Sequence, residues 1–341
     1  MALKKWSSDG KPSAIFATTH KDRTGGGELY AHQIAKQLDG MCDLRYFTGN
    51  GGTLHREFSR YHGIRHRFTS TALLHATDIF VSCSHFIIPQ AVGKNRNVLL
   101  TFFPNPDHKN LIRDYDTVVT CSNFSATWVK KYWGKTAKVI YPYIDLSAFN
   151  ATGTKAPKTI LNVGRFFREP HGHSKRQDAL IEAFAVLHRK DPEWSLVLAG
   201  SVLSASDRVY LEFCKSSATN LGVREVVEFC ENVDFDTLRG LYSNAEVYWH
   251  ANGYESKNPY ETEHFGIVIA EAMASGCTPI IFKGGGYSDF PADAWTTTAE
   301  LVKMTLRRRS DPEGLRAYVE KNFSETRMNA DVYDLFFRRK K

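Results

Sequence analysis

Two glutamates, Glu263 and Glu271, bracket the stretch HFGIVIA. An ionised carboxylate only accepts hydrogen bonds, and inside an apolar run it needs donors to face it. Sugar and ribose hydroxyls are such donors. Gly266 stands just before IVIAEAMAS, which reads as a helix closing at Gly276. The first N–H groups of a helix lack backbone partners, and its dipole favours an anion there. One arrangement accounts for all three features: a phosphate at the helix end, one carboxylate on a sugar hydroxyl and the other on a ribose. The spacing alone equally admits a solvated Glu263 and a Glu271 that merely caps a neighbour.

Positive groups lie upstream, in VGRFFREPHGHSKRQ. Arg165 directly follows an apolar strand run, where the sites of α/β proteins lie, and Lys175 stands at the start of the next helical pattern. Nine residues separate the two, and Arg168 inside that interval competes for either role. Solvation explains Arg168 and Arg176 as well as ligand binding does. HGH at 171–173 has no third ligand nearby and reads as a polar loop rather than a metal site. Two glycine runs, in RTGGGELY (Gly26 and Gly27) and at Gly284–Gly286, would let backbone approach a ligand closely, or make plain turns.

These residues need a frame. Short apolar runs at 14–18, 42–47, 78–83, 97–102, 117–121 and 138–141 form a first series of strands, and runs at 159–163, 194–199, 226–230, 246–250 and 278–282 a second. Continuous apolar strands suit parallel sheets covered on both faces. Helical stripes between them, such as Leu180, Ile181, Phe184 and Leu187, make two doubly wound α/β domains. The periodicity lapses over AFNATGTKAPK (148–158). We therefore divide the chain into 1–147, 148–322 and a C-terminal helix in 323–341 packing back on the first domain. The length of 341 residues and 42% hydrophobic content allow two such cores. The net charge of +7 favours anionic partners. No recognition motif points to nucleic acid. No run approaches the length of a membrane span, the N-terminus lacks a signal-peptide pattern, and six scattered cysteines without a CxxC fit a reducing, cytoplasmic setting.

NPYETEHFGIVIAEAMASGCTPIIFKGGG (258–286), TILNVGRFF…HSKRQDALIEAF (159–184) and YDTVVTCSNFSATWVKKYWGKTAKVIYPYIDLSAF (115–149) together resemble the retaining glycosyltransferases of the GT-B fold, family 4, with its E-x7-E signature in an EHFGI form. The resemblance implies two Rossmann-like domains facing a cleft, with the acceptor bound in the first and the nucleotide sugar mainly in the second. It implies transfer of a hexose-type sugar from a UDP- or GDP-linked donor to a glycan or lipid-linked acceptor. No cofactor and no metal would be involved. Glu263, Arg165 and Lys175 become the catalytic candidates, the two cations holding the diphosphate. Gly26, Gly27, Asn232, Val233, His264, Phe265, Gly266, Ile267 and Glu271 complete the donor-binding set. The family's histidine two residues before a proline is replaced here by Phe102, with His20 and His85 as substitutes. That departure supports a second expectation, a nucleotide-sugar binding protein without transfer; a phosphorylase or epimerase on the same fold is a third. Basic stretches at 60–67 and 128–135 and the terminal RRKK suit peripheral contact with an anionic inner membrane face, or a solvated surface.

Overall fold

The computed structural model describes residues 10–18, 25–47, 77–83, 88–149, 155–169 and 173–338. His20, His85, His171 and the 60–67 stretch lie outside them. The chain forms two units, residues 1–143 with 325–341, and residues 144–324.

In the first unit, β1 (Ser13–Thr18), β2 (Asp43–Phe47), β3 (Ile79–Cys83), β4 (Arg96–Thr101), β5 (Thr117–Thr120) and β6 (Ala137–Val139) make one parallel sheet in the order β2-β1-β3-β4-β5-β6. The helix Gly26–Met41 turns Tyr30, Ile34 and Leu38 inward at fourfold spacing. The Tyr30 hydroxyl donates to the Ile140 carbonyl at 2.8 Å. On the same helix, Gln37 donates to Glu325 at 3.1 Å and accepts from Asn329 at 2.7 Å. The helix Glu325–Phe336 is thereby joined to a residue 288 to 292 positions away in sequence. Phe102 is buried with its ring edge-on to Tyr30 at 5.7 Å, a core role.

The second unit holds β7 (Ala156–Val163), β8 (Ser195–Gly200), β9 (Val227–Glu231), β10 (Ala245–His250), β11 (Thr278–Phe282) and β12 (Asp293–Trp295), parallel throughout in the order β12-β11-β10-β7-β8-β9. Counted from β7, that is the Rossmann order, with the direction of winding reversing between β7 and β10. The core under the helix Gln177–Lys190 includes Phe184, Leu187, Trp194, Trp249 and Trp295. Both units are thus Rossmann-like, as the strand runs imply. The differences are local. β12 has only three residues and no apolar run to mark it. β6 ends at Val139, short of the 138–141 run. The helix after Lys175 begins at Gln177, behind Arg176 in left-handed backbone at φ 59°.

Candidate active site

In a doubly wound sheet, loops at the carboxyl ends of the two strands flanking the reversal part to leave a crevice. Gly164 and Arg165 follow β7 there, and His250 closes β10. The helix Ile267–Ala274 begins at Gly266, whose φ of 104° and ψ of 62° suit glycine. Glu263 precedes that helix end in the loop.

The Glu263 carboxylate gathers three donors on Oε2: Lys175 Nζ at 3.1 Å, Asn252 Nδ2 at 3.1 Å and His250 Nε2 at 3.3 Å. Its side chain is 17% exposed. Burial would raise its pKa, but Lys175 and the His250 hydrogen bond overcome this and hold it well below the usual carboxylate range. Glu263 is therefore charged at neutral pH. The glycine run explains its own composition here. Gly286 N–H donates to the Glu263 carbonyl at 2.7 Å. Gly285 stands at φ 66°, and a Cβ on it would overlap the Glu263 carbonyl. This loop presses on the backbone of Glu263 and His264 rather than on open space.

Glu271 lies one helix turn beyond, half-buried, and accepts from the Tyr242 hydroxyl at 2.9 Å. Burial lifts its pKa to about 7, with the Tyr242 hydrogen bond opposing the shift. Tyr242 stacks on Tyr248 at 6.2 Å, and the Tyr248 hydroxyl donates to Val163 at 3.3 Å, beside Gly164. The two tyrosines thus connect Glu271 to the end of β7. His264 donates Nε2–H to the Tyr260 carbonyl at 3.1 Å, and burial lowers its pKa to about 4, so it is neutral at pH 7. Phe265 is buried among Phe290 and Phe323, with ring centroids 5.2 and 5.1 Å away, and offers a ligand no side chain. Ile267 is half-buried at the first turn.

The two cations are held differently. Lys175 reaches Glu263, and its stem runs over Gly164, where a Cβ would stand 3.2 Å from Cγ. Arg165 instead forms a bidentate pair with Asp207, at 2.7 and 2.9 Å, and is 34% exposed. Asp207 is fixed in turn by the Leu203 and Ser204 ends of its helix. Arg168 turns away, its guanidinium 3.8 Å from Asp178 and 5.7 Å from the Phe213 ring. Asn232, at φ 51°, follows β9; its N–H donates to Gly200 at 3.0 Å, its side chain accepts from Val202 N–H at 2.9 Å, and Val233 beside it is half-exposed. Gly26 and Gly27 open the Gly26–Met41 helix of the first unit. His173 packs edge-on to Phe167 at 5.1 Å, and no cluster of three or more metal-ligating side chains exists among the described residues.

Lys175, Glu263, the Gly284–Gly286 loop and the end of β7 therefore come together. His250, Asn252, Asp207 and Tyr242 join them without having been singled out from sequence. Only His250 carried a usable signal, as the last residue of the strand EVYWH at the sheet's functional edge.

Comparison with known proteins agrees with this fold. Residues 147–305 match the family model described as glycosyl transferases group 1. A human protein named GDP-Man:Man(3)GlcNAc(2)-PP-Dol alpha-1,2-mannosyltransferase is 28% identical over 223 residues, 62% of this chain and 40% of that one. A GDP-mannose:cellobiosyl-diphosphopolyprenol alpha-mannosyltransferase of Komagataeibacter xylinus is 25% identical over 173 residues, 50% of this chain and 39% of its own. The chain thus spans about two fifths of these relatives. Among solved structures, Anabaena Alr3699/HepE in complex with UDP superimposes with a TM-score of 0.72 at 17% identity, covering 95% of this chain and 99% of that one. Sucrose-phosphate synthase from Thermosynechococcus elongatus superimposes with a TM-score of 0.67 at 16% identity, covering 95% and 98%. Residues 147–305 thus match the glycosyl transferases group 1 model, and the fold of the chain is that of the GT-B glycosyltransferases.

Proposed function

We propose that this protein is a retaining, metal-independent hexosyltransferase of family 4 that uses a nucleotide-diphosphate sugar and a glycan or lipid-linked acceptor. One observation carries the proposal: a charged Glu263 and Lys175 are locked together at the reversal point of the second sheet, beside the N-terminus of the Ile267–Ala274 helix. The two named mannosyltransferases make GDP-mannose the first donor to test.

Breaking the bond between the sugar and the diphosphate builds negative charge on the leaving oxygen. Lys175 retains two N–H donors beyond its bond to Glu263, and Arg165 retains three beyond its pair with Asp207. These cations and the helix N–H groups oppose that charge without a divalent ion. Glu263 accepts from a hydroxyl of the sugar and fixes its orientation, and Glu271 accepts from the ribose. Asn232 and Val233 meet the base. The acceptor attacks the face the diphosphate leaves, which retains the configuration, and the departing phosphate takes the acceptor's proton.

A thermal-shift screen against UDP-, GDP- and ADP-sugars identifies the donor, since a bound donor at a hundred times its Kd adds about 2.7 kcal/mol of stability. With that donor, Glu263→Ala is expected to lower turnover by about 10²–10³-fold while keeping its circular dichroism spectrum. Near-native turnover by the variant would remove Glu263 from the mechanism. The buried Phe102 favours a second reading, a binding protein without transfer. Donor binding with no product from any lipid-linked or glycan acceptor would establish that one instead.

A further inference from the structure

All three donors to Glu263 converge on one oxygen, Oε2, and Oε1 receives none of them. Lys175 is the charged one. His250 and Asn252 are each only 4% exposed. Each also keeps one buried atom, His250 Nδ1 and Asn252 Oδ1, without a hydrogen-bond partner among the described residues. Burying a polar atom unpaired is costly, so polar residues persist inside at such positions where their other atoms act. The other atoms here are the two that face Glu263. A carboxylate oxygen accepts only from a donor, which fixes Nε2–H as the protonated edge of His250 and Nδ2 as the near end of Asn252.

We propose that His250 and Asn252 are positioning residues that saturate Oε2 of Glu263, so that Oε1 is the acceptor presented to a hydroxyl of the transferred sugar. This rests on the donor-site reading above. Lys175 cannot do this alone, because an arriving diphosphate competes for its ammonium. His250 on β10 and Asn252 two residues beyond hold the carboxylate from the sheet side, and that hold does not depend on where Lys175 turns. The two donors thereby separate the tasks of the site: Lys175 is released to the phosphate while the sugar-binding oxygen keeps its aim.

The test compares GDP-mannose with GDP, or whichever nucleotide sugar replaces it in the donor screen with its own nucleotide diphosphate. His250→Ala and Asn252→Asp are expected to lower kcat by about 10²-fold, the scale of an ångström-sized misplacement. Affinity for GDP should stay within about twofold, while the advantage of GDP-mannose over GDP disappears, since only the sugar contact is lost. His250→Gln, whose amide can donate from the Nε2 position, is expected to recover to within about tenfold of native kcat. Asn252→Asp is isosteric and keeps the test open should His250→Ala fail to fold. Native kcat in both damaging variants would overturn the proposal, as would a loss of GDP affinity matching the loss of kcat, or no recovery in His250→Gln. A native protein that binds no nucleotide diphosphate would instead overturn the donor site itself.

Discussion

Glu263 and Glu271 are eight residues apart and pushed in opposite directions. Glu263 faces an ammonium, an imidazole N–H and an amide; Glu271 faces one phenol, so burial prevails and its pKa rises to about 7. Its folded value exceeds the unfolded one. The stability it contributes is therefore present below about pH 4.5 and lost as pH climbs through 7. A ribose hydroxyl donating to it would restore the charged form. Affinity for a nucleotide sugar, whose diphosphate does not titrate in this range, should accordingly rise about tenfold from pH 6 to pH 8, with protons released on binding. Calorimetry in buffers of different ionisation enthalpy measures both, and Glu271→Gln should flatten the profile. A native profile as flat as the variant's would remove Glu271 from the ligand.

Glycine placement decides what the elements can do. Gly285 combines positive φ with a backbone approach to Glu263 that leaves no room for Cβ. Gly285→Ala should cost about 1–3 kcal/mol in denaturant unfolding and reduce turnover with it. Gly240 lies in the helix Phe235–Asn244 with open space where a Cβ would go. Gly240→Ala should stabilise by about 0.5–1 kcal/mol and leave turnover unchanged. Equal effects at the two positions would show that the Gly285 contact does not matter. The same contrast shows what sequence could and could not reveal. The buried parallel strands are legible because each is a continuous apolar run; β12 is not, being three residues long with Trp295 alone buried in the core. Gly284–Gly286 was visible as a loop, but its target was not, since Glu263 lies more than twenty residues earlier. Lys175 and Glu263, 88 positions apart, were placed together by resemblance rather than by pattern. The pairing of Arg165 with Asp207, 42 positions on, has no local sign in the sequence.

For the molecule as a whole, the net charge is +7, and on the helix Asn123–Trp133 Lys131 lies 4.1 Å over the Trp128 ring and Lys130 is exposed. We propose this helix as a contact with an anionic bilayer. Binding to vesicles containing phosphatidylserine should weaken steeply between 50 and 300 mM salt, because the screening length falls below about 10 Å. Lys130→Glu with Lys131→Glu should weaken it by a further factor of ten or more, at about 1 kcal/mol for each cation. Salt-insensitive binding, or none, would leave that helix as ordinary solvated surface. The path of the chain has a different consequence. It leaves the first unit at Tyr143, completes the second without interruption, and returns at Glu325 with the helix that hydrogen-bonds Gln37. On the ribosome, residues 144–324 are made as one continuous stretch. The half begun first must wait until the helix Glu325–Phe336 has been made, and until then Gln37 and its neighbours are open to chaperones and proteases.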